Sequence, residues 1–195
     1  STHAATPELG ISAAEEGAKL IPLLNHVPTK KHPLLGEGAS CVIAFHSGSG
    51  ACSVPDHAVI EVFRHVVPGE DMKSIEREVK EILEGAELKC SWKIQFRESP
   101  AEGFDGGFPP YVTDEHHPYV ELLQQLYARK DKQKPLLLAS KAIGDFNLIG
   151  GVKNIPTVLF GPQGNGIHQP DEYVLLDSYY KTIEILYEFL EELLV

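Results

Sequence analysis

Two runs in the first half of the chain alternate as strands do. They are CVIAFHS at 41–47 and HAVIEVFRHV at 57–66, and the Gly-Ser-rich stretch between them reads as a hairpin turn. A lone hairpin is marginal in water, so its apolar face needs a partner layer. The flanking sequence supplies candidates. Ahead of it, Ile11, Ala14, Ala18, Ile21 and Leu24 recur at helical spacing. Thr6-Pro7-Glu8 opens that stretch, with Thr6 as N-cap and Pro7 at the first helical position, and Pro22 is expected to kink or stop it. Behind the hairpin, PGEDMKSIEREVKEILEG puts Ile75, Val79, Ile82 and Leu83 on one face, with Gly85 as the stop. LKCSWKIQF at 88–96 then alternates Leu88, Cys90, Trp92, Ile94 and Phe96, a half-buried strand. The order is helix, strand, strand, helix, strand. A strand before residue 1 would complete a βαββαβ two-layer sandwich. The opening STHAATPELG lacks Met and enters a patterned stretch at once, so the chain reads as starting inside a structural element.

The stretch RESPAEGFDGGFPPYVTDEHHP at 97–118 is rich in Gly, Pro and acids and reads as a linker or surface loop. It separates a first domain, 1–110, from a second, 111–195. After it, 118–130 has a helical pattern, PLLLAS at 135–140 reads as a short buried strand, and NIPTVLFGP at 154–162 as another with a Gly-Pro exit. Near the C-terminus, Tyr180, Ile183, Tyr187, Leu190 and Leu194 fall on one helical stripe. This is the pattern of an α/β sheet edge.

Composition narrows the function classes. Hydrophobic residues make up 43% of the 195, enough for a core. The formal net charge of -11 argues against nucleic acid or an anionic membrane as main partner. No apolar run reaches the roughly 18–20 residues of a membrane span. Cys41, Cys52 and Cys90 are an odd set without CxxC spacing, which fits reduced thiols in a cytoplasmic protein. GxSxG, P-loop and GxGxxG patterns are absent from the sequence.

His168, in FGPQGNGIHQPDEYV, follows the carboxyl end of an expected strand, where α/β sheets bind ligands. Its imidazole suits a metal such as zinc, and Asp171 or Glu172 could orient the ring. The competing reading is a loop His bonded to backbone. His3 precedes a helix start and could reach an oxyanion or carboxylate, but reads equally as a surface residue. Arg64 could grip a substrate carboxylate, though such an Arg more often pairs with a neighbouring acid. Asp145 and Asn147 in AIGDFN fit an ordinary Asx turn. His116 and His117 read as solvated loop residues.

Four stretches, in this order, resemble the dizinc amidohydrolase and metallopeptidase family of acetylornithine deacetylase, succinyl-diaminopimelate desuccinylase, aminoacylase and glutamate carboxypeptidase. They are STHAATPELGISAAE, VPDHAVIEVFRHVVPGED, AIGDFN and NIPTVLFGPQGNGIHQPDEYV, similar to the family's HAxxPxxGxNA, lid hairpin, (S/T)DxN turn and GIPxxxFGPGxxxxHxxxEYV. The resemblance implies a fold: a βαββαβ lid or dimerisation domain at 1–110, then the C-terminal part of a three-layer α/β catalytic domain at 111–195. It implies that His168 is a metal ligand, with Glu172 behind it. It also implies that His3 reaches a partner subunit's active site to stabilise a tetrahedral intermediate. Arg64, Asn147 and Gly161 match positions beside the substrate. Zinc, with cobalt or manganese as alternatives, would activate a water for attack on the amide of an N-acyl amino acid or small peptide.

The departures are equally specific. The family's HxD pair, its Glu pair with the general base, and a further acidic ligand lie upstream of the lid, and none is in this sequence. Cys52 stands where many members have Asn, and Asn147 where some have Arg. The expectation is therefore the C-terminal portion of a hydrolase, inactive alone, with a companion N-terminal chain or segment and a lid-mediated homodimer. The alternative is a non-catalytic dimerisation or binding module.

Overall fold

The computed structural model describes residues 2–48, 52–98 and 106–194. The tip of the hairpin turn and the centre of the 97–118 stretch lie outside the described residues. The chain forms two units, Ser1–Pro110 with Ala139–Ala142, and Tyr111–Leu138 with Ile143–Val195. Among the described residues no helix is long and apolar enough to cross a membrane.

The first unit is built on helix α1 (Ala13–Leu24), two short paired strands β1 (Lys31–His32) and β2 (Gly36–Glu37), the hairpin β3 (Ala39–Ser47) and β4 (Ala58–His65), and helix α2 (Met72–Gly85). The hairpin forms where its alternation predicts, antiparallel, with a bulge between Val42 and Ala44. Both helices pack on one face of it. Leu20 and Leu24 of α1, Val27 and Leu83 of α2 form the core, with Val42, Ile60, Val79, Ile82, Leu88 and Ile94 packed round it. Gly17 lets α1 come close, since a Cβ there would meet the Phe45 ring at 2.9 Å.

The start of α1 differs from the sequence expectation. Pro7–Leu9 make a separate 3-10 turn, and Thr6 makes no side-chain cap. Helix α1 begins at Ala13, where Ser12 accepts a hydrogen bond from the Glu15 amide. Ser12 wins because its extended backbone lets the hydroxyl reach back to the third helical amide. Pro22 is tolerated near the end, where few bonds remain to lose. Helix α2 is held by Asp71 and Ser74, which cap each other's amides.

The expected strand at 88–96 forms no ladder. Leu88, Cys90 and Ile94 are half-buried, while Trp92 and Phe96 of the same expected face are exposed. No backbone–backbone hydrogen bond involves 88–98 among the described residues. Glu16 anchors its start. This carboxylate is 5% exposed, takes the Lys19 ammonium at 2.6 Å and accepts the Lys89 amide at 2.9 Å.

A second polar anchor ties the far end of the hairpin to α2. The Arg64 guanidinium bonds the Pro28 carbonyl and pairs with Glu70 and Glu78. Glu70 also accepts the amides of Val67 at 2.9 Å and Lys30 at 3.3 Å.

The second unit contains helix α3 (Pro118–Asp131), the turn α4 (Asp145–Asn147) running into a single π-turn at Leu148–Val152, the paired strands β5 (Gly164–Asn165) and β6 (Tyr173–Val174), and helix α5 (Leu176–Leu194). His117 is the N-cap of α3 and accepts the Tyr119 amide through Nδ1, so it is a capping residue and not a solvated loop histidine. Helices α3 and α5 pack together, with Val120, Leu126 and Ile185 buried. Lys130 bridges to Glu184 and Glu188, and Lys181 pairs with Asp131.

Both expected strands of this unit lack ladders as well. Leu136 and Leu138 are each 83% exposed, and Ile155 and Leu159 each 53%. The two segments belong to no sheet among the described residues. On α5, the stripe of Tyr180, Ile183, Tyr187, Leu190 and Leu194 faces outward, with Tyr187 64% exposed. The helix packs instead through Thr182 and Ile185. Helix α5 is apolar on two sides, and α3 covers one.

Two predictions follow from the anchors. Lys19, then the Lys89 amide, holds the Glu16 carboxyl below its usual range. A lowered folded-state value stabilises the fold above the unfolded value and loses that stabilisation as pH falls through the lowered one. Urea unfolding should show wild type ahead of Glu16→Gln at pH 7, with the gap closing below about pH 4.5. Separately, Arg64→Ala leaves Glu70 buried without its guanidinium. It should cost about 3–5 kcal/mol in unfolding free energy. A fully stable Arg64→Ala protein would show that the guanidinium is no structural anchor.

Candidate functional site

His3 lies in a tight N-terminal turn. The Ala4 amide bonds the Cys52 carbonyl at 3.0 Å, and the Val54 amide bonds the Thr2 carbonyl at 2.7 Å. His3 thereby pairs antiparallel with Ser53. Its ring accepts the Ala5 amide at Nδ1, 3.0 Å away. A neutral imidazole that accepts at Nδ1 carries its proton on Nε2. The exposed edge of His3 is therefore a hydrogen-bond donor, the form that can hold an oxyanion. Cys52 is exposed beside this turn.

Arg64 lies at the other end of β4, paired with Ser40 across the hairpin. Six residue steps along the strand separate it from Ala58, roughly 20 Å at about 3.3 Å per step. His3 and Arg64 therefore occupy opposite ends of the hairpin. The guanidinium is 10% exposed and already bonds acids and carbonyls, matching the neighbouring-acid alternative of the sequence.

In the second unit, β5 and β6 pair Gly164 with Val174 and Asn165 with Tyr173, closing a loop whose tip carries His168. This loop is costly to build. His168 (φ 61°), Asp171 (φ 63°) and Gly166 (φ 77°) all adopt left-handed backbone. Non-glycine residues pay for that conformation, and such clusters occur where a side chain must be aimed. At Gly164 a Cβ would meet the Tyr173 carbonyl oxygen at 2.3 Å, so only glycine lets the strands close. The Gly166 amide bonds Asn165 Oδ1 at 2.8 Å, and the Gln169 amide bonds the Gly166 carbonyl at 2.8 Å. Glu172 accepts the backbone amide of His168 at 3.4 Å. It braces the loop, and does not touch the imidazole. No group bonds the His168 ring among the described residues, and the residue is exposed.

Asn147 is buried, and its Oδ1 accepts the Gly144 amide at 3.0 Å, closing the AIGDFN turn. Just beyond, Gly150 makes room for the Tyr111 ring, which a Cβ would meet at 2.6 Å. Gly161 is open on its Cβ side and lines a cavity of about 490 Å³ with Tyr127, Phe160, Gln163 and Lys181. The sequence did not single out Tyr127, Asp131 or Lys181. Lys181, then the Tyr127 hydroxyl, holds the Asp131 carboxyl below its usual range. Their only sequence signal is ordinary helical spacing.

These donors do not make a metal centre by themselves. Among the described residues no three His, Cys, Asp or Glu groups converge as a metal requires. One imidazole does not hold zinc, because catalytic sites typically use three protein ligands.

The chain's relatives share its architecture. It matches the solved structure of a tripeptidase from Staphylococcus aureus at TM-score 0.69 and 20% identity, covering 96% of this chain and 47% of that one. It matches aminopeptidase PepT from Bacillus cereus at 0.67 and 24%, covering 100% and 49%. A metallo-carboxypeptidase of family M20 from Sulfolobus solfataricus matches at 0.70 and 17%, covering 97% and 54%. The chain thus spans about half the length of these structures. No curated protein matches it significantly. The model of peptidase family M20/M25/M40 matches residues 2–192. The chain belongs to peptidase family M20/M25/M40.

Proposed function

We propose that this chain is the lid and C-terminal catalytic portion of a zinc-dependent hydrolase that cleaves the amide bond of a small peptide or N-acyl amino acid. The observation that carries this reading is the His168 loop. Three left-handed residues and one obligatory glycine aim an imidazole whose ring makes no bond within the described structure. Such strain is maintained where a side chain has work to do. The family membership supports a hydrolytic role, and the structural relatives are named as a tripeptidase, an aminopeptidase and a metallo-carboxypeptidase.

In this reading His168 supplies one metal ligand, and the remaining ligands and the general base come from a companion segment or chain. Cobalt or manganese could replace zinc. His3, with its donor edge outward, stabilises an oxyanion in the site of a partner subunit. Asn147 and Gly161 border the substrate, and Glu172 steadies the His168 backbone. The lid makes a homodimer, with the β3 edge facing away from β4 as the contact. The protein works in the cytoplasm.

The test is direct. The 195-residue chain alone should bind zinc only substoichiometrically. In the protein purified from its source, His168→Ala should lower hydrolysis of di- and tripeptides or N-acetyl amino acids at least about 100-fold, with bound zinc falling in parallel. The unfolding midpoint should stay put, because His168 is exposed and its ring makes no hydrogen bond among the described residues. Full activity and full zinc in His168→Ala would overturn the reading.

One observation favours a second reading, a non-catalytic dimerisation module: the absence of a convergent ligand set among the described residues. It expects a stable dimer with neither zinc nor hydrolysis in the native protein.

A further inference from the structure

The bonds that shape the His168 loop are mostly internal to it. β5 pairs with β6, the Gly166 amide bonds Asn165 Oδ1, the Gln169 amide bonds the Gly166 carbonyl, and Glu172 takes the His168 amide. Such bonds fix the loop's shape but not its placement on the unit. Its stem consists of Gln163, ahead of β5, and Leu175, after β6. The Leu175 amide closes that stem on the Gln163 carbonyl at 2.8 Å.

One hydroxyl reaches both legs of the stem. Ser178 Oγ accepts the Gln163 amide at 2.9 Å and donates to the Leu175 carbonyl at 2.8 Å. A serine in the first turn of a helix commonly bonds backbone of its own turn. Ser178 does so through Leu175, and it also holds a residue 15 positions upstream. Among the described residues no other side chain from outside 163–175 bonds the loop or its stem. The hydroxyl is itself firmly placed. Ser178 is half-buried, and its carbonyl accepts the Thr182 hydroxyl at 2.8 Å. Further along α5, Ile185 is fully buried.

We propose that Ser178 is a positioning residue: its hydroxyl ties both legs of the stem to α5, and so sets where the His168 imidazole is presented to a metal. The proposal rests on the reading of His168 as a ligand. A group that orients a ligand without touching the metal typically changes metal affinity about 10–100-fold when it is removed.

The experiment measures zinc affinity by chelator competition, and amide exchange across 163–175, in the protein purified from its source. Ser178→Ala should weaken zinc binding about 10–100-fold. It should also speed exchange across 163–175 at least about tenfold. Ser178→Thr keeps the hydroxyl and should restore both. Thr182→Val removes a neighbouring bond of α5 that does not reach the loop, and should leave zinc affinity unchanged. His168→Ala marks the full loss. Wild-type zinc affinity in Ser178→Ala, with His168→Ala stripped of zinc, would overturn this proposal and leave His168 as a ligand. So would equal losses in Ser178→Ala and Thr182→Val, which would make the hydroxyl a general support of α5. Full zinc in His168→Ala would overturn both readings.

Discussion

A strand carries hydrogen-bonding groups on both edges, and this structure is governed by how few of those edges are filled. The β3–β4 hairpin uses one edge of each strand. The segments 88–96, 135–140 and 154–162 have strand-like sequence but form no ladder among the described residues. Their side chains show the same shortage, from half-buried Ile94 to fully open Leu138. Helix α5 repeats it at the level of packing, with one apolar side on α3 and the other uncovered. An apolar strand is stable when flanked on both edges and covered on both faces. The structural relatives share the fold and are about twice as long as this chain.

The candidate residues respond to that shortage in an instructive way. Each is prepared locally. His3 has its tautomer set by the Ala5 amide, and His168 is aimed by a strained loop that β5 and β6 close. Neither depends on the unpaired strands for its geometry. A metal centre at His168 would need further ligands, since one imidazole binds no metal tightly. Arg64 shows the opposite case. Its terminal nitrogens bond Glu70, Glu78 and backbone carbonyls, which ties the end of the hairpin to α2.

Features encoded by short-range rules were legible in the sequence. The hairpin, helix α2 and the glycine-rich His168 loop follow from alternation, helical spacing and turn residues. The resemblance of four ordered motifs led to the family that the comparison establishes. Failures came where the deciding partner is distant or competing. Thr6 looked like the cap, but Ser12 satisfied the helix amides. Residues 88–96 and 154–162 have strand composition, yet composition cannot supply a neighbouring strand. The α5 stripe has the right period, but period alone does not say which of two apolar faces meets α3. Glu70 escaped notice because its partners are an arginine six residues away and amides brought in by the fold.

The most direct test is the intact mass of freshly purified native protein under denaturing conditions. A longer chain, or a second polypeptide of comparable size that copurifies with this one, is the predicted result. It would place His168 in a complete ligand set and give the unpaired strands their neighbours. A single species at 21.5 kDa, the mass of this sequence alone, would contradict that assignment.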